Sequence, residues 1–314
     1  MYFYHSFPRR RDGNESKGKG LKILNSILRN GLLLTPEFHV WRERLTDGSY
    51  SKPWTVRQIS VSFTLLSPSQ PKDHSRVFGE FALEFQTQIL RSLGAMPVFY
   101  LPSTNLRGQS KGLADISGTM IARVGEIQKL LDRIKSLYHE ASNRSSKERI
   151  VIEDDRGNRW PIDCSFMAAR SLIDFFLQKG QSIDQLSDSL RVISNLFYPT
   201  ENLDYTPELG YYYQREWRII AGVSTKRGPV VELLNEKQKS EVTEIAPEFF
   251  SEEIQEQRGP VKRIDACRLL REFNGESIAS LVNRIVVPNS CINRVREMLS
   301  QNLRSKVIGS DSLG

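Results

Sequence analysis

Two segments of alternating apolar and polar residues constrain the fold of this chain more than any other feature. In VRQISVSFTLL (56–66) and FGEFALEFQ (78–86), every second residue of the central part is apolar. Successive side chains of a β-strand point to opposite faces, so this pattern predicts strands that turn one face toward a core. Such alternation is typical of antiparallel sheets, and the chain is therefore expected to contain one.

Other segments have the periodicity of helices. LKILNSILRN (21–30) carries leucine and isoleucine at helical spacing, and Gly31 follows where a left-handed cap is expected. The preceding RRRDGNESKGKG (9–20) is polar and glycine-rich, which predicts a loop. Residues 116–142 and 165–197 are also helical in pattern, and the segment between them predicts a hairpin around DRGN.

These patterns together predict an α+β fold. A bent, mostly antiparallel sheet forms its core and begins with MYFYHSF (1–7). The expected organisation is a single domain over residues 1–314, with a helical insert over about 110–200 and a frayed tail over 304–314.

Composition limits the classes of function. The formal net charge is +7, from 44 basic and 37 acidic residues, which permits nucleic-acid binding without requiring it. Three distant cysteines, at 164, 267 and 291, argue for a reducing compartment and against a disulfide framework. The sequence has no CxxC or HxxxH pairing, which argues against a structural zinc site. No run reaches the roughly 18 apolar residues of a membrane span, and no secretory signal opens the chain. We expect a cytoplasmic protein without membrane association.

The segment YYYQREWRII (211–220) supplies the first candidate site. On a strand, Gln214 and Glu216 point to the same face, where they could act on a ligand in a cleft. Alternatively, Glu216 pairs with Arg218 or Arg215 on a solvated strand, with Trp217 in the core on the opposite face. The sequence alone leaves both interpretations open.

Two further groups of residues could bind a ligand. His5 and Ser6 lie on the first predicted strand, and Ser62 and Thr64 share one face of the second with Ser60. Each group also has a structural interpretation, as a half-buried histidine and as the solvated face of a sheet. His74 follows a turn and is explained by the polarity of a loop, and the pair Asp154–Asp155 is better explained by a hairpin turn than by a metal site. The glycine-rich nucleotide-binding loops and the GxSxG motif are missing.

Taken together, these segments resemble a known family. YHSF, ILRNGLLL, the run from VSFTLL to PVFYLP, and REWR occur in the order of the AbiGi-type abortive-infection proteins of bacterial phage resistance. The resemblance covers roughly residues 1–105 and 205–225, and weakly 275–300. It implies a role in anti-phage defence as the antitoxin of a toxin–antitoxin pair, which acts through a protein partner.

A more remote similarity links the same residues to ADP-ribosyltransferases, which use an early His, a hydroxyl-lined strand and a late Glu. This similarity implies NAD as cofactor, with Glu216 stabilising the cation that develops when the nicotinamide–ribose bond breaks. His5 would fix the adenosine-side ribose, Ser62 the nicotinamide ribose, and Gln214 the acceptor. Ser6 and Thr64 would complete the cofactor-binding set. Phe63 departs from the Ser-Thr-Ser pattern of that family.

Three classes of function therefore stand as hypotheses. The first is an antitoxin or regulator that binds a protein, and the second is an NAD-dependent ADP-ribosyltransferase or NAD-cleaving effector. The third is nucleic-acid binding through the basic segments PRRRDGNESKGKGLK and NLRSK. The enzyme requires His5, Ser62 and Glu216 to converge on one cleft, whereas nucleic-acid binding requires the two basic segments on one face.

Overall fold

A computed structural model describes the greater part of the chain. The described residues are 1–8, 17–41, 49, 52, 54–66, 75, 78–102, 119–120, 122–123, 125–127, 129, 132, 136, 149–153, 159–165, 171, 174, 197–200, 215–221, 230–256 and 259–312. The chain divides into two compact units. Unit 1 comprises Met1–Trp41, Trp54–Asn105 and Tyr198–Gly314, and unit 2 comprises Arg42–Pro53 and Leu106–Phe197.

The described residues contain seventeen strands, numbered here in chain order. They are β1 (Tyr2–Phe7), β2 (Leu32–Trp41), β3 (Trp54–Leu66), β4 (Phe81–Gln86), β5 (Met96–Pro97), β6 (Phe99–Pro102), β7 (Arg149–Glu153), β8 (Arg159–Ser165), β9 (Phe197–Thr200), β10 (Glu216–Ile220), β11 (Val230–Leu233), β12 (Glu253–Glu256), β13 (Gly259–Lys262), β14 (Arg268–Phe273), β15 (Glu276–Ser277), β16 (Arg284–Val287) and β17 (Val307–Gly309).

An 11-stranded sheet dominates unit 1. Eight strands follow the order β11-β14-β2-β3-β1-β4-β16-β17, while β10 pairs with β3 and β5, and β15 pairs with β14. Every described pairing in this sheet is antiparallel apart from β16 with β17. The two-stranded pairs β6–β9 and β12–β13 accompany it. The predicted α+β class with a mostly antiparallel sheet is confirmed.

Eight described helices belong to unit 1. They are α1 (Lys17–Asn30), α2 (Thr87–Ser92), α3 (Glu236–Ile245), α4 (Pro247–Phe250), α5 (Arg263–Ala266), α6 (Ile278–Leu281), α7 (Ile292–Met298) and α8 (Gln301–Arg304). The loop predicted over 9–20 is too long, because α1 already begins at Lys17. The amphipathic pattern extends that far, since Gly20 and Leu21 are buried with Leu24 and Ile27.

One face of the sheet packs against α1, α2 and the C-terminal helices. Phe3, Phe63, Phe81, Leu83 and Phe85 from the central strands are nearly inaccessible to solvent. They join residues of α1 and α7 in the largest apolar cluster of the described chain. The alternation in the predicted strands therefore marks the core face correctly.

The tail predicted to be frayed over 304–314 contains a strand among its described residues. Residues 307–309 form β17, which pairs in parallel with β16, and Val307 is 1% exposed. An apolar Val-Ile pair in a short polar tail was the signal for this strand, and it adds a chain segment to the edge of the sheet beyond β16.

Unit 2 contains most of the segment predicted as a helical insert. Its described residues between 119 and 136 are helical, and β7 pairs antiparallel with β8 as the hairpin predicted around DRGN. Residues 154–158 of the turn, including the Asp154–Asp155 pair, lie outside the described residues, as does His74. Within the part of the chain that is described, no helix has the length and apolar character needed to cross a membrane.

Gly31 joins α1 to β2 at a point where the backbone has little space. Its φ is +99°, and its N–H donates to the Ile27 carbonyl at 2.8 Å, as expected for a helix cap. A Cβ at this position would lie 2.2 Å from the Leu270 carbonyl oxygen of β14. Glycine is therefore required here both for its conformation and for its size.

A matched pair of substitutions separates these two causes. Gly94 also has a positive φ, +85°, but no described atom lies within 4 Å of its Cβ position. Gly94→Ala is expected to lose about 1–2 kcal/mol of unfolding free energy from the left-handed conformation alone. Gly31→Ala should lose clearly more, because β14 must also move. Urea denaturation measures both, and equal losses would contradict the close approach of Gly31 to β14.

Candidate functional site

The register of β3 and β10 brings Ser62 and Glu216 to the same face of the sheet. Glu216 lies opposite Thr64 and Arg218 lies opposite Ser62, and residues directly opposed in an antiparallel pair share a face. Ser60 lies opposite Ile220 in the same pairing. The hydroxyl row predicted on β3 therefore faces the same side as the carboxylate of β10.

Both carboxylate oxygens of Glu216 accept hydrogen bonds from other elements of the fold. Ser62 Oγ donates to Oε1 at 2.6 Å, and the Arg218 Nε donates to the same oxygen at 2.7 Å. The hydroxyl of Tyr100, on β6, donates to Oε2. The Glu216 side chain is 11% exposed, so these partners replace most of its contact with water.

Arg218 extends this cluster across β3 to β2. Its side chain is 7% exposed, and one terminal nitrogen lies 2.9 Å from Glu37 Oε2. The same nitrogen donates to Gln58 Oε1 at 3.4 Å. The guanidinium thus links Glu216 on β10 to Glu37 on β2, with residues of β3 between them.

The pKa of Glu216 follows from two opposing effects. Burial raises the pKa of this carboxyl group, but the adjacent Arg218 charge and the hydrogen bonds from Ser62, Tyr100 and Arg218 lower it more. The net pKa lies below the ordinary value, so the carboxylate is ionised at neutral pH. Burial also lowers the pKa of Arg218, but the charges of Glu216 and Glu37 outweigh it and raise that pKa.

Ser60 occupies a contrasting position on the same face. Its side-chain oxygen is buried and has no hydrogen-bond partner among the residues that are described. Its neighbour two residues along, Ser62, donates to Glu216 at 2.6 Å. Two serines on one strand therefore differ in whether their hydroxyl groups are paired.

His5 lies on the other face of the sheet. Its imidazole packs against Phe63 and Phe7, with ring centroids 5.6 and 5.7 Å away. Phe63 is adjacent to Ser62 in the strand and so points to the opposite face. The structure therefore brings Ser62 and Glu216 together and does not bring His5 to them, although the proposed NAD site required all three in one cleft.

His5 instead connects two strands. β1 pairs with β3 at residues 64–66, and beyond this pairing His5 Nδ1 donates to the main-chain carbonyl of Ser62 at 2.9 Å. Because a carbonyl only accepts, Nδ1 carries the hydrogen. Burial lowers the pKa of this imidazole more than the bond to Ser62 raises it, so the ring is neutral at pH 7.

The other predicted site residues have different positions. Ser6 is half-buried opposite Ala82 of β4, and Thr64 is buried opposite both Tyr4 and Glu216. Strand alternation places Ser6 and Thr64 on the face that carries Glu216. Gln214 lies outside the described residues.

Arg215, immediately before Glu216, has an unusual backbone. Its φ is 44°, in the left-handed region that non-glycine residues rarely adopt. Its carbonyl accepts from Leu65 N at 3.2 Å, and the Glu216 carbonyl accepts from Val98 N at 2.9 Å. Main-chain hydrogen bonds therefore fix the beginning of β10 to β3 through Leu65 and to Val98, which lies between β5 and β6.

A second buried carboxylate lies on the same face, two strands away from β3. Glu84 is fully buried on β4, and its oxygens accept from the Tyr4 hydroxyl at 2.5 Å and from the Asn283 amide. Arg284 Nε lies 3.7 Å from it. Burial, and then the bond to Glu84, raise the pKa of Tyr4, which therefore remains a neutral donor.

The sequence interpretation missed several of these residues. Tyr100 stands in PVFYLP, which reads as an apolar strand, and nothing in that run indicates a partner for Glu216. Glu84 is easier to single out from the sequence than Tyr100, because it is the only charged residue within FALEFQ. A lone acid in an otherwise buried strand indicates a paired interior carboxylate, because an unpaired one would be too costly to bury.

The hydrogen bonds that Glu216 already accepts limit the chemistry open to this cluster. An ionised carboxylate can stabilise a developing cation, but here its oxygens already bind Ser62, Arg218 and Tyr100. Among the described side chains, no group of three or more His, Cys, Asp and Glu is arranged to hold a metal ion. No protein-family model, curated protein or solved structure matches this chain.

The contrast between the two serines gives a direct test of the cluster. Ser62→Ala is expected to cost about 1.5–3 kcal/mol of unfolding free energy, because it removes a hydrogen bond to a buried charge. Ser60→Ala should be close to neutral, because that hydroxyl has no described partner to lose. The two variants remove the same atom from the same face of the same strand. Equal losses in chemical denaturation would contradict the arrangement around Glu216.

Proposed function

We propose that this protein is the antitoxin or regulator component of a bacterial anti-phage abortive-infection system, and that it acts by binding a protein partner. Two lines of support converge on this proposal. The first is the resemblance of YHSF, the VSFTLL–PVFYLP run and REWR to AbiGi-type proteins. The second is that Glu216 and Arg218 form their hydrogen bonds and ion pairs with side chains of the chain itself.

The observation that carries the proposal is the occupancy of the Glu216 carboxylate. A catalytic carboxylate must face a substrate, yet Glu216 accepts from three donors of its own chain, and its side chain is 11% exposed. His5 lies on the opposite face and donates a hydrogen bond to the main-chain carbonyl of Ser62 on β3. A scaffold whose polar residues support each other fits a binding protein better than an enzyme.

One observation favours a second candidate, an NAD-dependent ADP-ribosyltransferase or NAD-cleaving effector with a related fold. Ser62 donates to an ionised Glu216 on a face that also carries Ser6 and Thr64. In this candidate, the ribose hydroxyls of NAD displace Tyr100 and Arg218 from the carboxylate, which then stabilises the ribosyl cation. His5 would not contact the nucleotide directly.

One experiment with two readouts separates these functions. The chain and its Glu216→Gln variant are co-expressed with the product of the adjacent gene, and complex formation, growth and nicotinamide release from NAD are measured. The proposed function predicts a stable complex and relief of toxicity for both forms, with no nicotinamide released by either. A thermal melt of each protein confirms that it is folded.

The opposite pattern would overturn the proposal. Nicotinamide release by the wild type that falls about a hundredfold or more in Glu216→Gln would establish the enzyme, since such charge stabilisation amounts to a few kcal/mol. No complex and no relief of toxicity, with both proteins folded, would also reject the antitoxin role.

A further inference from the structure

A groove runs along one face of α3. Its wall on the helix side contains residues three or four positions apart, which form one row on the helix surface: Glu236, Lys239, Ser240, Thr243 and Glu244. The facing wall contains Lys262 at the end of β13 and Asp265 of α5. The volume of the groove is about 520 Å³. It extends along about 12 Å of the helix, which is the length of about four residues of extended chain.

One side chain joins the two walls of the groove. Lys239 Nζ lies 2.8 Å from Glu236 Oε1 on its own helix and 2.8 Å from Asp265 Oδ1 on α5. The charge of Lys239 is therefore used within the fold. Glu244 and Lys262 also line the groove, but neither has an ion pair or hydrogen bond to any described residue. Their charged groups are thus available to a ligand.

The charge around the groove is negative, in a chain that is positive overall. Residues 236–253 contain six Glu and two Lys, a formal charge of −4, whereas the whole chain carries +7. In the groove itself, three acids face two lysines. A surface with this charge attracts a basic partner and repels the phosphates of nucleic acid.

An exposed aromatic residue lies beside the groove. Phe249 of α4 is 43% exposed, and the centroid of its ring lies 4.4 Å from the guanidinium carbon of Arg263. Arg263 stands in the chain between Lys262 and Ile264, which both line the groove. The ring of Phe250 packs edge-on against Phe249 at a centroid distance of 5.0 Å. Aromatic residues are enriched in protein interfaces, and a ring that is already held in place loses little freedom on binding.

We propose that the α3 groove and Phe249 form the surface that binds the protein partner, and that they take an extended basic segment of it. Glu244 pairs with a Lys or Arg side chain of that segment, while the hydroxyl groups of Ser240 and Thr243 bond to its main chain. Phe249 packs against an apolar side chain next to the basic one. This inference rests on the proposed function, for which it names the binding surface and the chemistry of the segment bound.

Binding of the purified product of the adjacent gene to the full chain tests this inference, with biolayer interferometry as the measurement. Glu244→Lys reverses an exposed charge in the groove and should weaken binding about tenfold or more. Phe249→Ala removes the exposed ring and should also weaken binding about tenfold or more. The affinity of the wild type should fall between 50 and 200 mM KCl, because salt screens exposed ion pairs, and it should fall less for Glu244→Lys.

Two matched variants on α7 are the controls. Glu297 is exposed and is the last residue but one of its helix, as Glu244 is of α3, so Glu297→Lys makes the same change at the same helical position. Met298 is 44% exposed, which matches Phe249. Glu297→Lys and Met298→Ala should each retain affinity within about twofold. A thermal melt of every variant confirms that it is folded.

The outcomes separate this inference from the proposed function. If the wild type forms the complex and the two groove variants bind as tightly, the inference is overturned and the proposed function stands. Equal losses in the groove variants and the α7 variants would also overturn it. No complex with the folded wild type would reject the proposed function and the inference together. Self-association of the chain alone that Glu244→Lys abolishes would overturn the inference in favour of a second copy in the groove.

Discussion

The ion pair between Glu216 and Arg218 is the interaction on which the centre of the fold depends. Both side chains are largely removed from water, where an isolated charge would be unfavourable by several kcal/mol. They are stable because Glu216 also binds Ser62 of β3 and Tyr100 of β6, while Arg218 also reaches Glu37 of β2. These contacts connect β10 with β2, β3 and β6 through two charged residues. Because the two charges lie next to each other and are buried, the loss of either would leave the other poorly compensated.

The sheet separates this polar cluster from the apolar core. Trp217, between the two charged residues in sequence, points to the opposite face and packs edge-on against Phe3 at a centroid distance of 5.2 Å. His5 and Phe63 lie in the same aromatic group. Strand alternation alone therefore assigns charge and aromatic packing to different sides. The Tyr4–Glu84 pair continues the polar arrangement on β1 and β4.

Local sequence patterns predicted many of the strands and helices, because side-chain alternation and helical spacing depend only on neighbouring residues. Alternation identified β3 and β4 with their core faces, helical spacing with Gly31 identified the end of α1, and the i+2 relation identified the Glu216–Arg218 pair. The solvated strand proposed for that pair was wrong, since Arg218 is buried. Tyr100, Glu37 and the position of His5 depend on the strand order and register, which no local pattern encodes. The hydrogen bond from Lys17 Nζ of α1 to Ser290 Oγ also could not be predicted from a local pattern, because it joins residues 273 positions apart.

A double-mutant cycle on Glu216 and Arg218 tests the central claim most directly. Unfolding free energies are measured by chemical denaturation for the wild type, Glu216→Gln, Arg218→Met and the combined variant. A structural ion pair predicts that Arg218→Met alone costs about 3–5 kcal/mol, because it leaves a buried charge. The combined variant should then cost at least about 2 kcal/mol less than the sum of the single losses. Losses that add within about 0.5 kcal/mol would contradict the claim that this pair holds the strands together.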